Sequence, residues 1–460
     1  MFKKVKSIHF IGIGGIGMSG IAELLNNLGF KITGSDLMTS ENVKRLESIG
    51  IEISIGHDSN NLKDADAVVY SSAVPLDNPE ILSAINKSIP VIRRAEMLGE
   101  LINLKQTSIA VGGTHGKTTT SSMIGEILEK SGYDPTLVVG GLVSNLNTNV
   151  KLGSGELIVV EADEFDRSFL ALNPTIAIIT NLEMEHTDCY KDLNDIENTF
   201  LQFCKSVPFY GTVILYADSD SLMRIMPKIK KPITTYGLSD GSDYQAKNIE
   251  YFENKSQYNL LYKNKDLGLV NINVPGEHNV LNSLASIALG MEIKVPLNLI
   301  KKGINSYKGV RRRFEIKKNK TNIFVVDDYA HHPSEVEATI NAAKSGWNKR
   351  IVCVFQPHLF SRTRDFYKEF AKSLFKSDII IITKIYPARE KPIDGVNSNL
   401  ILDELGHLGH SSTYSLENLN DLNNVLEKIV QPNDMVITMG AGDIWRYSDK
   451  YNEYLDDRLI

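Results

Sequence analysis

Short, wholly apolar runs alternate with amphipathic stretches along most of the 460-residue chain. Within residues 1–97, "SIHFIGI", "FKITGSD", "DAVVYSS" and "IPVIRRA" each close on small or polar residues, and the segments between them carry apolar side chains at helical spacing, as in Val43, Leu46 and Ile49. Continuous apolar strands punctuated by helices predict a parallel sheet covered on both faces, with ligands bound beyond the carboxyl ends of the strands. The pattern restarts near residue 98 with "TSIAVGG", the helix "KTTTSSMIGEILEKSGY" and the strands "ELIVVEAD", "TIAIITNLE" and "GTVILYAD". Between 243 and 275 it changes to short alternating segments broken by Asn, Lys and Gly, which predicts a small antiparallel appendage; the helix "HNVLNSLASIALGMEI" then closes the unit. A third unit opens near "GVRRRFE" and returns to the parallel scheme with "NIFVVDDYA", "RIVCVFQP", "DIIIITKI" and "DMVITMGAGD". The expected fold is α/β in three domains, 1–97, 98–309 and 310–460. The outer two are Rossmann-like, and the central one has a phosphate loop, a parallel sheet and a small antiparallel sheet.

Composition narrows the class. Hydrophobic residues at 42% and charged residues at 23% are ordinary for a globular enzyme. A formal charge of −6 gives no global basic footprint, so no nucleic-acid partner is expected. Three widely spaced cysteines, Cys189, Cys204 and Cys353, argue against a disulfide framework and for a cytoplasmic protein. The basic-then-apolar start "MFKKVKSIHFIGIGG" resembles an export signal, but its glycines and the amphipathic helix that follows read as strand and loop. No run reaches the roughly 18 apolar residues of a membrane span.

The chemistry concentrates at strand ends. Gly12-Ile13-Gly14-Gly15-Ile16-Gly17 is a G-x-G-x-x-G between a strand and a helix, the form of a dinucleotide fingerprint. A hundred residues later "AVGGTHGKTTT" writes a second phosphate loop, with three residues between Gly112 and Gly116 where the usual pattern has four. In that context backbone N–H groups wrap phosphate oxygens, Lys117 reaches the β/γ-phosphates and the Thr118 hydroxyl binds Mg²⁺. The strand "ELIVVEADEFD" delivers Glu161, Asp163 and Glu164, and "ITNLEMEHTDCY" brings His186 and Asp188 to the same edge, as candidate metal ligands. In the third unit Asp327, Asp328, Tyr329, His331, His332, His358, Arg362 and Arg364 follow predicted strands, which suits a small charged molecule with an arginine fork for a carboxylate. Each of these also has a plainer reading as a solvated loop or an ion pair.

Taken together and in order, "HFIGIGGIGMSGIAELL", "GTHGKTTT", "VEADEFDRSF", "NLEMEHTDCY", "EHNVLNSLA", "GVRRRFE", "DDYAHHPSEV" and "FQPHLFSRTRDF" resemble the Mur ligases of bacterial peptidoglycan synthesis, over essentially the whole chain. The resemblance implies ATP-dependent formation of a carbon–nitrogen bond between UDP-N-acetylmuramate and L-alanine by a monomer or homodimer. The two loops would then serve two nucleotides. It implies Gly14, Gly15, Ser35, Asp36, Ser71, Ser72 and, less strongly, His57 around the uridine diphosphate. For ATP it implies Gly113, Thr114, His115, Gly116, Lys117, Thr118 and Thr119 at the phosphates, Asn279 and Asn282 near adenine, Arg313 at the γ-phosphate and Asp328 near the ribose. Two Mg²⁺ ions are implied, one on Thr118 and Glu161 and one on Glu161 and His186. Tyr329, His331, His358 and Arg362 would surround alanine, with Lys117, His186, Arg313 and His331 as the catalytic set. Many relatives carry a carbamylated lysine about fifteen residues after the metal histidine; here position 201 is Leu, so that modification is not expected.

Two rivals stay open at this stage. A family member that attaches a recycled tripeptide to the same nucleotide sugar would share nearly all these motifs. A nicotinamide-dependent oxidoreductase would explain Gly12 to Gly17 but not the second loop.

Overall fold

The computed structural model describes residues 4–140, 150–185, 189–388 and 390–457. Its strands form three sheets, and in each the parallel strands end on one edge.

The first sheet comprises β1 (Ser7–Ile11), β2 (Lys31–Asp36), β3 (Glu52–Ile55), β4 (Ala67–Tyr70) and β5 (Val91–Arg93), all parallel, in the order β3-β2-β1-β4-β5. The chain winds outward on one side of β1 and then crosses to the other, so the order reverses between β1 and β4. A crevice opens at such a switch point. The loop after β1 and the turn after β4 meet there: a Cβ built on Gly12 would lie 3.3 Å from the Cβ of Ser71.

The second sheet comprises β6 (Thr107–Gly112), β7 (Thr136–Val138), β8 (Val150–Lys151), β9 (Leu157–Glu161), β10 (Ile176–Ile179), β11 (Thr212–Tyr216), β12 (Ile233–Gly237), β13 (Tyr244–Phe252), β14 (Lys255–Tyr262) and β15 (Lys265–Ile272). Its order is β15-β14-β13-β12-β11-β10-β6-β9-β7-β8, with β6 parallel to both β9 and β10. The third sheet comprises β16 (Glu315–Lys317), β17 (Phe324–Asp328), β18 (Ile351–Phe355), β19 (Ile379–Thr383), β20 (Thr413–Leu416) and β21 (Met435–Met439), in the order β16-β17-β21-β18-β19-β20. Among the described residues of this sheet only β16 runs antiparallel, and β21 inserts between β17 and β18 so that three chain segments end side by side.

By contacts the chain groups into two compact units. The first contains residues 1–246, 260–267 and 281–306, and the second 247–259, 268–280 and 307–460, so β13 to β15 and the helix Glu277–Glu292 each contribute to both. The first unit joins two of the three sheets because their cores are continuous. Met97, Leu98, Leu101 and Ile102 of the helix Arg94–Ile102 belong to the same buried cluster as Phe169, Leu172, Phe200 and Phe203 of the central domain. Each such side chain contributes about 1.5–3 kcal/mol by leaving water. Contact is close enough that a Cβ at Gly99 would come 2.5 Å from the Ala171 carbonyl oxygen. Among the described residues no helix is long and apolar enough to cross a membrane.

Candidate active site

The first glycine loop is shaped by side chains of the neighbouring strand and helix. Gly12 takes φ +77°, a conformation that favours glycine, and its N–H and that of Ile13 both donate to the Ser35 carbonyl at the end of β2. Asp36 accepts the Gly14 N–H at 2.8 Å, and Asn42 donates to the Gly14 carbonyl at 2.9 Å. A side chain at Gly14 would meet Asp36, Ser40 and Val43, all at 2.9 Å. Gly15 then caps the helix Ile16–Asn27 with no side-chain help, and that helix has no acid in its first turn, so its positive end stays available to an anion. Ser71 is half-buried and Ser72 exposed at the adjoining turn. Ser35 and His57 sit at the same edge but point into a buried hydrogen-bond cluster around Glu80.

The second loop differs in what it carries. Gly113 (φ +127°) and Gly116 (φ +83°) are both in glycine-favouring conformations, and Gly116 caps the helix Lys117–Lys130. The loop is pinned to the end of β10: His115 N–H donates to Asn181 Oδ1 at 2.8 Å, Thr180 Oγ1 donates to the His115 carbonyl, and Glu183 N–H donates to Thr114 Oγ1 at 3.0 Å. His115 Nε2 lies 3.5 Å from Glu183. Asn282 packs beneath, accepting from Thr120 Oγ1 at 3.2 Å, and Thr119 is buried beside it in sequence.

Lys117 lies folded back inside this loop. Its ammonium donates to the carbonyls of Gly113 (2.6 Å) and Thr114 (3.1 Å) and to both oxygens of buried Glu164 (2.9 and 2.8 Å). Burial pulls its pKa down, but the carboxylates of Glu164, Asp163 and Glu185 outweigh that and hold it at about 12. The Glu164 carbonyl accepts from Tyr190 OH at 2.6 Å, and just beyond it Asp166 and Arg167 adopt left-handed φ values of 51° and 61°. Non-glycine residues in that region cost free energy and concentrate at functional sites. Thr118 Oγ1 and Glu161 Oε2 are 3.1 Å apart. A hydroxyl beside a carboxylate is a hard-oxygen pair of the type that binds Mg²⁺, so these two residues fit the expected ion. His186, the expected ligand of the second ion, lies outside the described residues.

Arg94, not anticipated from sequence, spans from the first glycine motif to the acidic segment after β9. A Cβ at Gly17 would come 2.6 Å from its guanidinium, whose other nitrogen sits 3.3 Å from Asp163. The only sequence signal was the pair of arginines at the end of "IPVIRRA", which reads as a strand terminus.

In the second unit the "GVRRRFE" turn and the ends of β17, β18 and β21 gather the charged residues. Arg311 is exposed. Arg312 is committed internally: it donates to the Gly440 carbonyl at 2.6 Å, lies 3.4 Å from buried Asp327, and stacks over Tyr329 and Trp445. Arg313 reaches Glu335 at 3.5 Å and also lies over the Tyr329 ring, 5.2 Å from its centroid. Arg312 and Phe314 both take left-handed φ, 60° and 46°. Asp328 accepts the Phe314 and Ala330 N–H groups at 2.8 Å each; its burial outweighs these and Arg313, lifting its pKa to about 6. Half-buried His278 is pushed the other way, to about 4, by desolvation and by Arg313. Asn279, next to it, donates to the Pro275 carbonyl at 2.7 Å.

His331 Nδ1 is 3.0 Å from the Tyr329 carbonyl and 3.1 Å from Glu335. A carbonyl only accepts, so Nδ1 carries hydrogen and the basic nitrogen of the neutral ring is Nε2. The His331 and His358 rings meet edge to face at 6.0 Å, His358 stacks on Tyr386, and buried Arg362 lies 3.4 Å from His358 Nδ1. The four residues expected around the amino acid are therefore one cluster. Between His358 and Arg362, Leu359 caps the helix Phe360–Leu374 at a left-handed φ of 72°. Glu335 and His278 were missed because each reads in sequence as an ordinary helix-start residue.

Three family domains match in succession: Mur ligase family, catalytic domain, over 7–106; Mur ligase middle domain, over 111–290; and Mur ligase, glutamate ligase domain, over 312–442. The chain belongs to the Mur ligase family, carbon–nitrogen ligases with three α/β domains. Within it, the chain is 48% identical to the UDP-N-acetylmuramate–L-alanine ligase of Geotalea uraniireducens, with all of both chains covered. The crystal structure of the UDP-N-acetylmuramate–alanine ligase of Thermotoga maritima is 30% identical, with a TM-score of 0.84 over 98% of this chain and 99% of that one. A murein peptide ligase from Psychrobacter arcticus is 26% identical, with a TM-score of 0.72 over 98% and 99%.

Proposed function

We propose that this chain joins L-alanine to the lactyl carboxylate of UDP-N-acetylmuramate at the expense of ATP, in cytoplasmic peptidoglycan precursor synthesis. The observation that carries the reading is the pairing of two unlike glycine loops in one unit, the first without a charged side chain and the second with Lys117, Thr118 and Glu161. A nicotinamide enzyme would leave the second loop without a purpose.

A carboxylate resists attack by an amine because its charge repels the nucleophile and its oxygen does not leave. Activation comes first. The lactyl carboxylate oxygen attacks the γ-phosphorus of ATP, the β–γ bridging oxygen departs with ADP, and an acyl phosphate forms. Lys117 moves from Glu164 onto the phosphate oxygens, and Arg313 is assigned to the charge that spreads over them. Thr118 and Glu161, with His186 for a second ion, would hold Mg²⁺, which supplies charge neutralisation at the phosphates when bound. Arg362 binds the alanine carboxylate. His331 Nε2 takes a proton from the alanine ammonium, the freed amine adds to the acyl carbon, and phosphate leaves from the tetrahedral adduct. Residues 1–97 hold the uridine diphosphate, 98–309 the ATP, with Asn279 and Asn282 near adenine and Asp328 near its ribose, and 310–460 the amino acid.

The test is phosphate release from UDP-N-acetylmuramate and ATP across a panel of amino acids and the murein tripeptide. Alanine should support turnover and the tripeptide should not; the reverse would establish the peptide ligase instead. Oxygen-18 placed in the lactyl carboxylate should appear in the released phosphate. A methyl pocket discriminates by about 1–3 kcal/mol, so glycine should be a poor but measurable substrate.

A further inference from the structure

Glu80 lies fully buried on the first turn of the helix Pro79–Asn86, near the carboxyl edge of the first sheet, and nothing above gives it a task. Donors converge on it from three sides. Ser35 Oγ donates to Oε2 at 2.6 Å, and His9 Nε2 is 3.3 Å from the same oxygen. Asn61 Nδ2 donates to Oε1 at 2.6 Å and the Asp58 N–H does so at 3.1 Å. Desolvation would raise its pKa, but the bonds from His9, Ser35 and Asn61 outweigh that and keep it below the ordinary carboxylate value. An ionised carboxylate only accepts.

This fixes every polarity downstream. Ser35 has one hydroxyl hydrogen, and it is given to Glu80. The contact between Ser35 Oγ and His57 Nδ1, 3.0 Å long, must then be donated by the histidine. The neutral His57 ring therefore carries its hydrogen on Nδ1 and a lone pair on Nε2, which meets no hydrogen-bond partner among the described residues. His57 follows β3 at Gly56, whose N–H is bonded to the Asp36 carbonyl at 2.8 Å, so the ring stands at the edge that carries the glycine loop.

We infer that Glu80 is a positioning residue which, acting through Ser35, sets the tautomer of His57 so that Nε2 accepts a hydrogen bond from a donor on the uridine of the nucleotide substrate. The inference rests on the uridine diphosphate reading of the first domain. Two groups on uridine offer such a donor: the imide N3–H of the base and the ribose hydroxyls. A cytosine base has an acceptor where uracil has its imide hydrogen, so recognition through the base would choose between the two pyrimidines, whereas recognition through the ribose would not.

The substitution Glu80→Gln reverses the relay. The new amide must place its NH₂ against donors on one side. The Asp58 backbone N–H cannot change polarity, whereas the Ser35 hydroxyl can turn and His9 can exchange its hydrogen with Thr33, 2.8 Å from its Nδ1. The NH₂ therefore faces Ser35, whose hydrogen swings to His57 Nδ1 and moves the ring hydrogen to Nε2.

The experiment is nitrogen-15 NMR of the full chain labelled at histidine, with a His57→Asn variant to assign the ring, and binding of UDP, CDP, N3-methyl-UDP and 2′-deoxy-UDP by calorimetry. The wild-type ring should be the Nδ1–H tautomer and Glu80→Gln the Nε2–H tautomer. If Glu80→Gln is unstable, Ser35→Ala removes the same relay and should give a mixture. With the base as donor, UDP should bind at least about tenfold tighter than CDP, with that ratio falling to near unity in either variant; with the ribose as donor, UDP and CDP should bind alike and 2′-deoxy-UDP at least about tenfold more weakly, a difference that either variant should erase. Weak binding of N3-methyl-UDP with normal binding of 2′-deoxy-UDP assigns the donor to the base, and the opposite pattern assigns it to the ribose. A wild-type Nε2–H ring, a tautomer unmoved by either substitution, or equal binding of all four nucleotides overturns the inference. The ring signal needs no substrate, so it is judged apart from the ligase activity.

Discussion

The carboxyl edges of the central and C-terminal sheets share an architecture and have opposite electrostatic designs. At the central edge Lys117 is wrapped by Glu164 and two carbonyls, and neighbouring acids hold it firmly charged. At the C-terminal edge burial presses the groups toward neutrality: Asp327 and Asp328 are raised, while His278 and Arg312 are lowered. The first suits a polyanion, which on the proposed mechanism takes over from Glu164 as partner of a cation already in place. The second holds both signs in close pairs, Arg312 with Asp327 and Arg313 with Glu335, as suits a zwitterion of no net charge. A shared fold thus fixes where charges stand, and local packing decides which protonation state they favour.

The sharpest way to break this contrast is Lys117→Ala. Alanine-dependent ADP release should fall by at least about 10³-fold while UDP binding is unchanged, because the cation acts only where charge develops in phosphoryl transfer. Turnover within tenfold of wild type would remove Lys117 from the chemistry. Next is Arg362→Lys: it keeps the charge but loses the planar fork, so KM for alanine should rise roughly 10- to 100-fold with KM for ATP little changed. Equal rises in both would place Arg362 outside the amino-acid pocket.

A third prediction concerns pH. His278 is depressed from 6.5 to about 4 on folding, so its contribution to stability is present above pH 6.5 and lost as pH falls through 4. Asp328 is raised from 3.8 to about 6, so its contribution is present below pH 3.8 and lost as pH rises through 6. Between pH 4 and 6 the unfolded chain gains one proton at His278 and loses one at Asp328, and the two slopes cancel. His278→Asn should leave only the aspartate, so that urea unfolding shows stability dropping by about 1.4 kcal/mol per pH unit relative to wild type as pH rises across that window. An unchanged slope would mean that His278 keeps the ordinary histidine titration on folding. The smallest effect is expected for Glu164→Gln, which removes the acid that competes with phosphate for Lys117: ADP should bind roughly fivefold tighter, read by calorimetry. Weaker binding would make Glu164 a support for the loop instead of a stand-in for its ligand.

Much of this was legible along the chain. The long apolar runs "SIAVG", "LIVVE", "IVCVF", "IIIIT" and "MVITM" all became buried parallel strands, because a strand covered on both faces leaves no room for polar alternation. What escaped was short or marginal in position: β3 is four residues with no fully buried member, β16 is a three-residue antiparallel addition, and the helix Leu297–Ser306 follows a unit that already read as closed. The glycine loops and the Arg362, His331 and His358 group could be found because each lies directly after a strong strand. Glu80, Arg94 and His278 could not, since an acid in a helix's first turn or an arginine at a strand end is commonplace on a surface.

By itself the sequence determined the periodicity, and with it three parallel sheets, the two glycine turns and the residues stationed at the strand ends. Those follow from local rules, in which a few neighbouring positions decide backbone conformation and the face a side chain takes. Only the tertiary structure decided that Glu80 is buried among donors, that Lys117 already grips an acid and that Asp328 and His278 resist their usual charges. Protonation and polarity depend on what surrounds a group in space, and its surroundings are brought from segments 20 to 130 residues away.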